Sequence, residues 1–233
     1  MRRLIIIPAY NEESNIEKLL TELGKYSDRY DCLVVNDCST DETTKILNQM
    51  NVPYLSHINN LGIGGAVQSG YIYALQNGYD IAIQLDGDGQ HNPAYLDSLI
   101  KSIEDGIADI CIGSRFIERE GFQSTTTRRL GIKLLGGLIY VLSGKQFTDV
   151  TSGYRAVNKK YIAYYAENYP QDYPEPEAIM LAIRNGASIQ EVPVEMRPRT
   201  SGESTINIKR SIYYMIKVSF AVILAAMVSK KGK

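Results

Sequence analysis

The chain has 233 residues, and its 25 basic and 26 acidic side chains give a formal net charge of −1 at pH 7. Apolar residues make up 44% and charged residues 22%, which excludes general disorder and is typical of a globular protein with a sizeable core. The near-neutral charge argues against a protein that binds nucleic acid through a uniformly basic surface, so we expect no nucleic-acid partner.

Short apolar strands alternate with amphipathic helices through the first half of the chain. The apolar run at residues 4–7 ends at Pro8, too early for the core of a signal peptide, and predicts a buried strand. Further strands are predicted at 32–35, 52–56, 81–85 and 110–112, with helices between them. This alternation indicates βαβ units and an α/β fold with a mostly parallel, Rossmann-like sheet flanked by helices.

The pattern changes after about residue 115. Residues 121–129 are polar and rich in threonine and predict a mobile loop, which is followed by a predicted helix at 129–142. Two more strands are predicted at 152–157 and 188–196, and an apolar helix at 178–183 is preceded by Glu177. A second loop is predicted at 197–205, and no linker or internal repeat divides the chain.

Polar clusters follow three of the predicted strands, at the carboxyl ends where parallel sheets bind ligands. The clusters are Tyr10-Asn11-Glu12, Asn36-Asp37 and Asp86-Gly87-Asp88-Gly89-Gln90. Each cluster taken singly is also typical of a helix N-cap or a turn. Asp86 and Asp88 are spaced so that both carboxylates can turn towards one ligand, and such hard oxygen donors suit Mg²⁺ or Mn²⁺. Together the three clusters favour a metal-binding site.

These clusters also resemble motifs of family 2 glycosyltransferases. Residues 8–12, 34–41 and 60–66 are similar to the nucleotide-sugar half of that family, and 86–93 resembles its D-x-D element in the form found in the dolichyl-phosphate mannosyltransferase group. Residues 113–116 and 151–155, and Arg199 with Gly202 and Ser204, match later motifs of the group in order. The resemblance covers residues 4–206 and implies a GT-A fold.

The resemblance also implies roles for the matching residues. Asp86, Asp88 and Gln90 would hold Mg²⁺ or Mn²⁺ on the diphosphate of a UDP- or GDP-sugar. The family's usual Asp-Asp-Gly is Asn36-Asp37-Cys38 here. Asp37, the aspartate that this chain keeps, would therefore bind the base. The full set expected to bind the nucleotide sugar is Pro8, Ala9, Tyr10, Glu12, Asp37, Gly64 and Asp86. We expect one domain over residues 1–205, with a nucleotide-sugar half at 1–114 and an acceptor half at 115–205.

Two kinds of acceptor remain open. A lipid phosphate is already anionic and needs cations to hold it, for which the candidates are Arg115, Arg128, Arg129, Arg155 and Arg199. A sugar hydroxyl needs a general base, for which the candidates are Asp149 and Glu177. The residues expected to be catalytic are therefore Asp88, Arg115, Asp149 and Glu177.

The segment 206–233 predicts an apolar helix followed by a basic tail. Residues 218–228 carry no charge, but this run is shorter than the ~20 residues that span a bilayer. Residues 197–233 hold eight basic side chains and one acidic side chain. An amphipathic helix on an anionic membrane surface fits this pattern, and contact with a small membrane protein or a second copy of the chain is the alternative.

The expected function is inverting, metal-dependent transfer of a sugar to a polyprenyl (undecaprenyl) phosphate for cell-surface glycan synthesis. The alternatives are transfer to a hydroxyl of a growing polysaccharide and a noncatalytic subunit that binds nucleotide sugars. Three cysteines without C-x-x-C spacing indicate a reducing compartment, so we expect a cytoplasmic protein at the inner face of the membrane.

Overall fold

The computed structural model describes residues 1–123, 125–198 and 208–227. Within these residues the strands are β1 (Arg3–Ala9), β2 (Asp31–Asn36), β3 (Tyr54–Ser56), β4 (Ile81–Gln84), β5 (Ile110–Ser114), β6 (Arg155–Asn158) and β7 (Ile189–Pro193). They form one sheet in the order β3-β2-β1-β4-β6-β5-β7. All neighbouring strands are parallel except that β6 runs antiparallel to β4 and β5, which confirms the predicted mostly parallel sheet.

Helices cover both faces of this sheet. They are α1 (Ile16–Leu23), α2 (Thr43–Met50), α3 (Gly62–Gln76), α4 (Leu96–Glu104), α5 (Thr126–Ser143), α6 (Lys159–Asn168), α7 (Pro174–Arg184) and α8 (Ile208–Met227). Residues of α1, α2 and α4 pack on one face, and residues of α3, α5, α6, α7 and α8 pack on the other. Successive side chains of β1 alternate between these two cores, which explains its unbroken apolar run.

The second half of the chain differs from the prediction in three places. Helix α5 begins at Thr126, inside the predicted loop at 121–129, because the Thr125 side chain caps it by accepting from the Arg128 amide. Helix α6 was not predicted, since two of its four buried residues are tyrosines, which the apolar pattern does not reveal. Helix α7 begins at Pro174, so Glu177 lies within its first turn. Residues 199–205 of the second predicted loop lie outside the described residues.

The predicted C-terminal helix is present as α8, which packs against α5 and α7. Within the part of the chain that the structure describes, no helix combines the length and apolarity needed to cross a bilayer.

Candidate active site

The D-x-D loop leaves the sheet at the carboxyl end of β4. Asp86 keeps about a third of its side chain exposed, whereas Asp88 is buried. The backbone amide of Gln90 donates to Asp88 Oδ1 over 3.0 Å, which fixes the turn between them. A Cβ atom placed on Gly87 would lie 3.0 Å from the Pro8 carbonyl oxygen and 3.4 Å from Cγ of Glu12, so this loop lies directly against the end of β1.

The donor set of this loop fits Mg²⁺ or Mn²⁺. No group of three or more His, Cys, Asp or Glu side chains among residues 1–123, 125–198 and 208–227 is arranged to hold a metal ion. Asp86 and Asp88 supply two carboxylates and Gln90 an amide oxygen, and Mg²⁺ is usually held in this way, by one or two carboxylates together with substrate phosphates. A donor diphosphate would complete such a site.

Gly153 keeps open the space beside Asp86. A Cβ atom on this residue would lie 3.1 Å from both carboxylate oxygens of Asp86 and 2.9 Å from Nε2 of Gln84. Gln84 Nε2 itself donates to Asp86 Oδ1 over 3.4 Å. The Ser152-Gly153-Tyr154 turn therefore lies directly against this carboxylate.

Replacing Gly153 with alanine is expected to weaken binding of Mn²⁺ with UDP or GDP by about tenfold, because the new methyl group displaces a carboxylate of the metal site. Isothermal titration of Mn²⁺ into the nucleotide-bound protein measures this change. Gly137→Ala is the control, since a Cβ atom there meets nothing within 4 Å. Equal affinities for the two variants would contradict the role given to Gly153.

His91 supports the Asp86 end of the loop. Its Nδ1 accepts from the Asp86 amide over 3.0 Å, and its Nε2 lies 3.7 Å from Asp86 Oδ2. Because Nδ1 accepts, the proton of the neutral ring is on Nε2, which is the nitrogen nearer the carboxylate. The buried ring stacks on Tyr154 with centroids 4.8 Å apart. From its position directly after Gln90, His91 was expected to add a metal ligand or a phosphate contact, whereas the structure engages its Nδ1 with the Asp86 amide.

Asp37 lies at the end of β2 and is held by the N-terminus of α3. Its carboxylate accepts from the amides of Leu61 and Gly62, each over 2.8 Å. The Asp37 amide donates to the Ala9 carbonyl over 2.9 Å, so the ends of β1 and β2 are joined. A carboxylate at a helix N-terminus is stabilised by the exposed amides there. The orientation of Asp37 is therefore fixed by the chain itself.

His57 is a site residue that the sequence analysis missed. Its Nδ1 lies 2.7 Å from Asp37 Oδ1, and its Nε2 lies 2.9 Å from the Ser69 hydroxyl. The chain has two histidines, and each contacts a carboxylate of the predicted site. The sequence offers only a weak indication of this role, namely that histidine is scarce in it.

The other residues expected to bind the nucleotide sugar occupy different environments. Pro8 and Ala9 are buried in β1, and Tyr10 is half-exposed beyond it. Glu12 accepts from the Asn15 side chain over 2.8 Å. Gly64 is buried, and a Cβ atom there would lie 2.2 Å from the carbonyl oxygens of residues 170 and 171. The structure thus gives Gly64 a role in packing α3 against residues 170 and 171.

Arg115 and Asp149 form a buried ion pair. Arg115 donates from Nε to Asp149 Oδ2 over 2.6 Å and from Nη2 to Oδ1 over 2.7 Å. The exposed fraction is 7% for Arg115 and zero for Asp149. Each was predicted to face an acceptor, Arg115 as a phosphate ligand and Asp149 as a base. The geometry instead pairs them, so that they join the end of β5 to the turn before β6.

Arg155 is fully buried, and its guanidinium is bound to backbone carbonyls. Its Nη2 donates to the Ser152 carbonyl over 2.5 Å, and its Nη1 donates to the Glu175 carbonyl over 3.4 Å. The prediction that Arg155 holds an acceptor phosphate is therefore corrected to a structural role under the Ser152-Gly153 turn. Arg128 and Arg129 lie exposed in the first turn of α5, and Arg199 is outside the described residues.

Glu175 is the second site residue that was missed. Burial raises the pKa of Glu175 above its ordinary value, and the charge of Asp86 adds to this shift, whereas Arg155 and Arg128 oppose it. Glu175 therefore lies within electrostatic range of the D-x-D loop. Burial also raises the pKa of Glu177, but the neighbouring charge there is Asp172. Of the two carboxylates, Glu175 is the one on which the charge of Asp86 acts.

The comparisons with known proteins agree with this geometry. The sequence model described as Glycosyl transferase family 2 matches residues 4–165. Undecaprenyl-phosphate mannosyltransferase of Micrococcus luteus is 33% identical over 222 residues, which cover 89% of this chain and 88% of that protein. UDP-N-acetylglucosamine–dolichyl-phosphate N-acetylglucosaminyltransferase of Methanococcus voltae is 31% identical over 82% of this chain and 84% of its own.

A solved structure shows the same fold. Glucosyl-3-phosphoglycerate synthase of Mycobacterium tuberculosis, crystallised with Mn²⁺, UDP and phosphoglyceric acid, has a TM-score of 0.75 at 16% identity. The match covers 99% of this chain and 80% of that one, which confirms the expected GT-A fold. With the family match over residues 4–165 and relatives of more than 30% identity along most of its length, the chain belongs to glycosyl transferase family 2.

Proposed function

We propose that this glycosyltransferase moves a sugar, with inversion, from a UDP- or GDP-sugar to a polyprenyl phosphate such as undecaprenyl phosphate. The observation that carries the proposal is the pair of carboxylates Asp86 and Asp88 at the end of β4, on the same edge of the sheet as the fixed carboxylate of Asp37 at the end of β2. The names of the two relatives, one acting with undecaprenyl phosphate and one with dolichyl phosphate, support the choice of acceptor.

In this proposal the chain's own residues orient the donor. Asp37 binds the base, while Asp86, Asp88 and Gln90 hold Mg²⁺ or Mn²⁺ against the diphosphate. A bound divalent ion stabilises the negative charge that develops on the leaving nucleoside diphosphate. The Gly153 turn and His91 keep the Asp86 carboxylate in place.

A lipid phosphate acceptor agrees with the charges around the site. Such an acceptor is anionic and needs no proton removed before it attacks. Asp149, one of the two predicted bases, is committed to Arg115, and the other, Glu177, faces Asp172. The positive charge of Arg128 in α5 acts on Glu175, as does the charge of Asp86. We propose Arg128 and Arg129 as the described residues that hold the acceptor phosphate, together with Arg199.

One observation favours the alternative of a hydroxyl acceptor. Glu175 is a half-buried carboxylate within electrostatic range of Asp86, and its raised pKa is typical of a general base. Glu175→Gln separates the two acceptors. Transfer to a lipid phosphate should persist in this variant, whereas transfer to a hydroxyl should be nearly abolished.

The donor is tested by nucleotide release from a panel of UDP- and GDP-sugars, with undecaprenyl phosphate in vesicles and Mg²⁺ or Mn²⁺ present. We expect release from at least one donor and its loss on adding EDTA. Release without metal would contradict the metal role. Nucleotide binding without release or transfer from any donor would favour the noncatalytic alternative.

We further propose that α5 and α8 form the surface that contacts the membrane. The two helices pack together, and a Cβ atom on Gly131 of α5 would lie 3.1 Å from Sδ of Met215 in α8. Large apolar side chains of both helices are exposed, and they include Leu130, Leu134, Val141, Tyr213, Ile216, Phe220, Leu224 and Met227. An apolar face of this size next to Arg128, Arg129 and Lys133 suits an anionic lipid surface.

The double variant Leu134→Glu with Phe220→Glu is expected to lower binding to vesicles of anionic phospholipid by about tenfold or more, since it places two charges against the lipid. Vesicle co-sedimentation measures the partition. Ile107→Glu is the control, because Ile107 is equally exposed but lies between α4 and β5. Unchanged binding of the double variant would leave contact with a membrane protein or a second copy of the chain as the role of this face.

A further inference from the structure

A short segment at residues 195–197, here called the strap, crosses the D-x-D loop. The Arg197 amide donates to the Gln90 carbonyl over 2.9 Å, and Gln90 Nε2 donates to the Arg197 carbonyl over 3.3 Å. Met196 forms a β-bridge with His91, and its carbonyl accepts from the Phe122 amide over 2.9 Å. The strap is therefore bound to two residues of the D-x-D loop, Gln90 and His91.

The side chain of Arg197 ties the strap to α1. Its Nη1 and Nη2 donate to the two carboxylate oxygens of Glu22 over 2.6 and 2.8 Å, and Nη2 also donates to Asn92 Oδ1 over 2.9 Å. The guanidinium lowers the pKa of Glu22. A bidentate pair of this kind fixes direction as well as distance. We call the Glu22–Arg197 pair the clasp.

The D-x-D loop needs such support from outside. Gly87 and Gly89 flank Asp88, and Gly89 has a φ of +74°, so the loop gains little rigidity from its own backbone. The hydrogen bond to the Arg197 carbonyl engages the nitrogen of the Gln90 amide. Its oxygen, Oε1, is then the amide atom left for a cation, because metal ions bind the oxygen of an amide.

We propose that the clasp is a positioning device for the metal loop, with Glu22 and Arg197 as positioning residues that act through Gln90. This proposal rests on the metal-dependent donor site proposed above. Glu22 lies in the last turn of α1, and the Arg197 guanidinium is engaged by Glu22 and Asn92, so the pair orders the loop through the strap backbone.

The test measures metal binding itself. Free Mn²⁺ is followed by electron paramagnetic resonance while the full-length protein is titrated in the presence of saturating UDP or GDP. Glu22→Gln and Arg197→Gln are each expected to weaken Mn²⁺ binding by about tenfold, as outer-sphere partners of metal ligands do. The double variant should be no weaker than the worse single variant, because the two residues act as one unit.

Arg3→Gln is the matched control. It breaks the Arg3–Glu104 pair, whose side chains are 24% and 27% exposed, against 36% and 25% for the Arg197–Glu22 pair. Arg3 lies at the start of β1, at the opposite end of the strand from the site. Its variant should keep the wild-type affinity for Mn²⁺.

Wild-type affinity in both clasp variants, or a loss no larger than in Arg3→Gln, would overturn the clasp and leave the proposed function intact. If the wild-type protein fails to bind Mn²⁺ in the presence of UDP and also in the presence of GDP, the proposed donor site fails, and the clasp fails with it. The wild-type titration therefore distinguishes the two failures.

Discussion

Replacing Asp88 with asparagine is expected to slow sugar transfer by roughly a hundredfold to a thousandfold, the usual cost of removing one group that stabilises transition-state charge. The change keeps the size of the side chain and removes its negative charge. Asp88 is buried and bonded to the Gln90 amide, so solvent has little access to replace the lost ligand. Initial rates of nucleotide release at saturating donor measure the effect.

Two controls accompany this variant. Asp105→Asn removes a surface carboxylate that pairs with Lys101 at the end of α4, and it should leave the rate unchanged. Thermal unfolding should show that Asp88→Asn remains folded. If Asp88→Asn keeps more than a tenth of the wild-type rate, the D-x-D loop is not the centre of the chemistry.

Breaking the Arg115–Asp149 pair is expected to have the largest effect on stability. Arg115→Met and Asp149→Asn should each lower the free energy of unfolding by about 3–5 kcal/mol, because each leaves a buried charge without its partner. Typical domains are stable by only ~5–15 kcal/mol, so either variant is expected to be severely destabilised. Urea denaturation followed by circular dichroism measures the loss.

The double variant Arg115→Met with Asp149→Asn sharpens this prediction. It removes both charges and should be destabilised less than the sum of the two single variants. Additive losses would show that the two residues do not act as a pair. Full stability of Arg115→Met, with a raised KM for the acceptor, would instead return Arg115 to the phosphate-binding role predicted from the sequence.

The parts of the site that could be predicted are those in which chemistry and position lie close together along the chain. Asp86 and Asp88 follow directly on an apolar strand, and Asp37 follows another, so the strand pattern alone places them at one edge of the sheet. A Cβ atom on Gly87 would lie 3.4 Å from Cγ of Glu12, so the first and third clusters do meet.

The parts that could not be predicted depend on contacts between distant residues or on the rotation of a helix. Arg115 and Asp149 are 34 positions apart, and Asp37 and His57 are 20 apart. No sequence pattern records these pairs, because the folded chain alone brings them together. Glu175 and Glu177 differ by about 200° around α7, so only one of them can face the metal loop. The choice between them depends on how α7 packs, which the spacing of its apolar residues left open.

The net charge of −1 conceals an uneven distribution of acidic and basic residues over the molecule. The carboxylates of the site lie at the carboxyl ends of β1, β2 and β4, while the exposed Arg128 and Arg129 lie on α5 and exposed apolar side chains lie on α5 and α8. The basic tail at 228–233, predicted to lie on the lipid, is outside the described residues.

The central claim is that the sugar is transferred to the phosphate of a polyprenyl lipid. It is tested most directly by giving the purified protein, a donor that supports nucleotide release and Mn²⁺ two matched acceptors, undecaprenyl phosphate and undecaprenol. Mass spectrometry of the extracted lipid should show one added sugar on the phosphate and none on the alcohol. Glycosylation of undecaprenol, or of an oligosaccharide hydroxyl with no product on undecaprenyl phosphate, would contradict the proposed function.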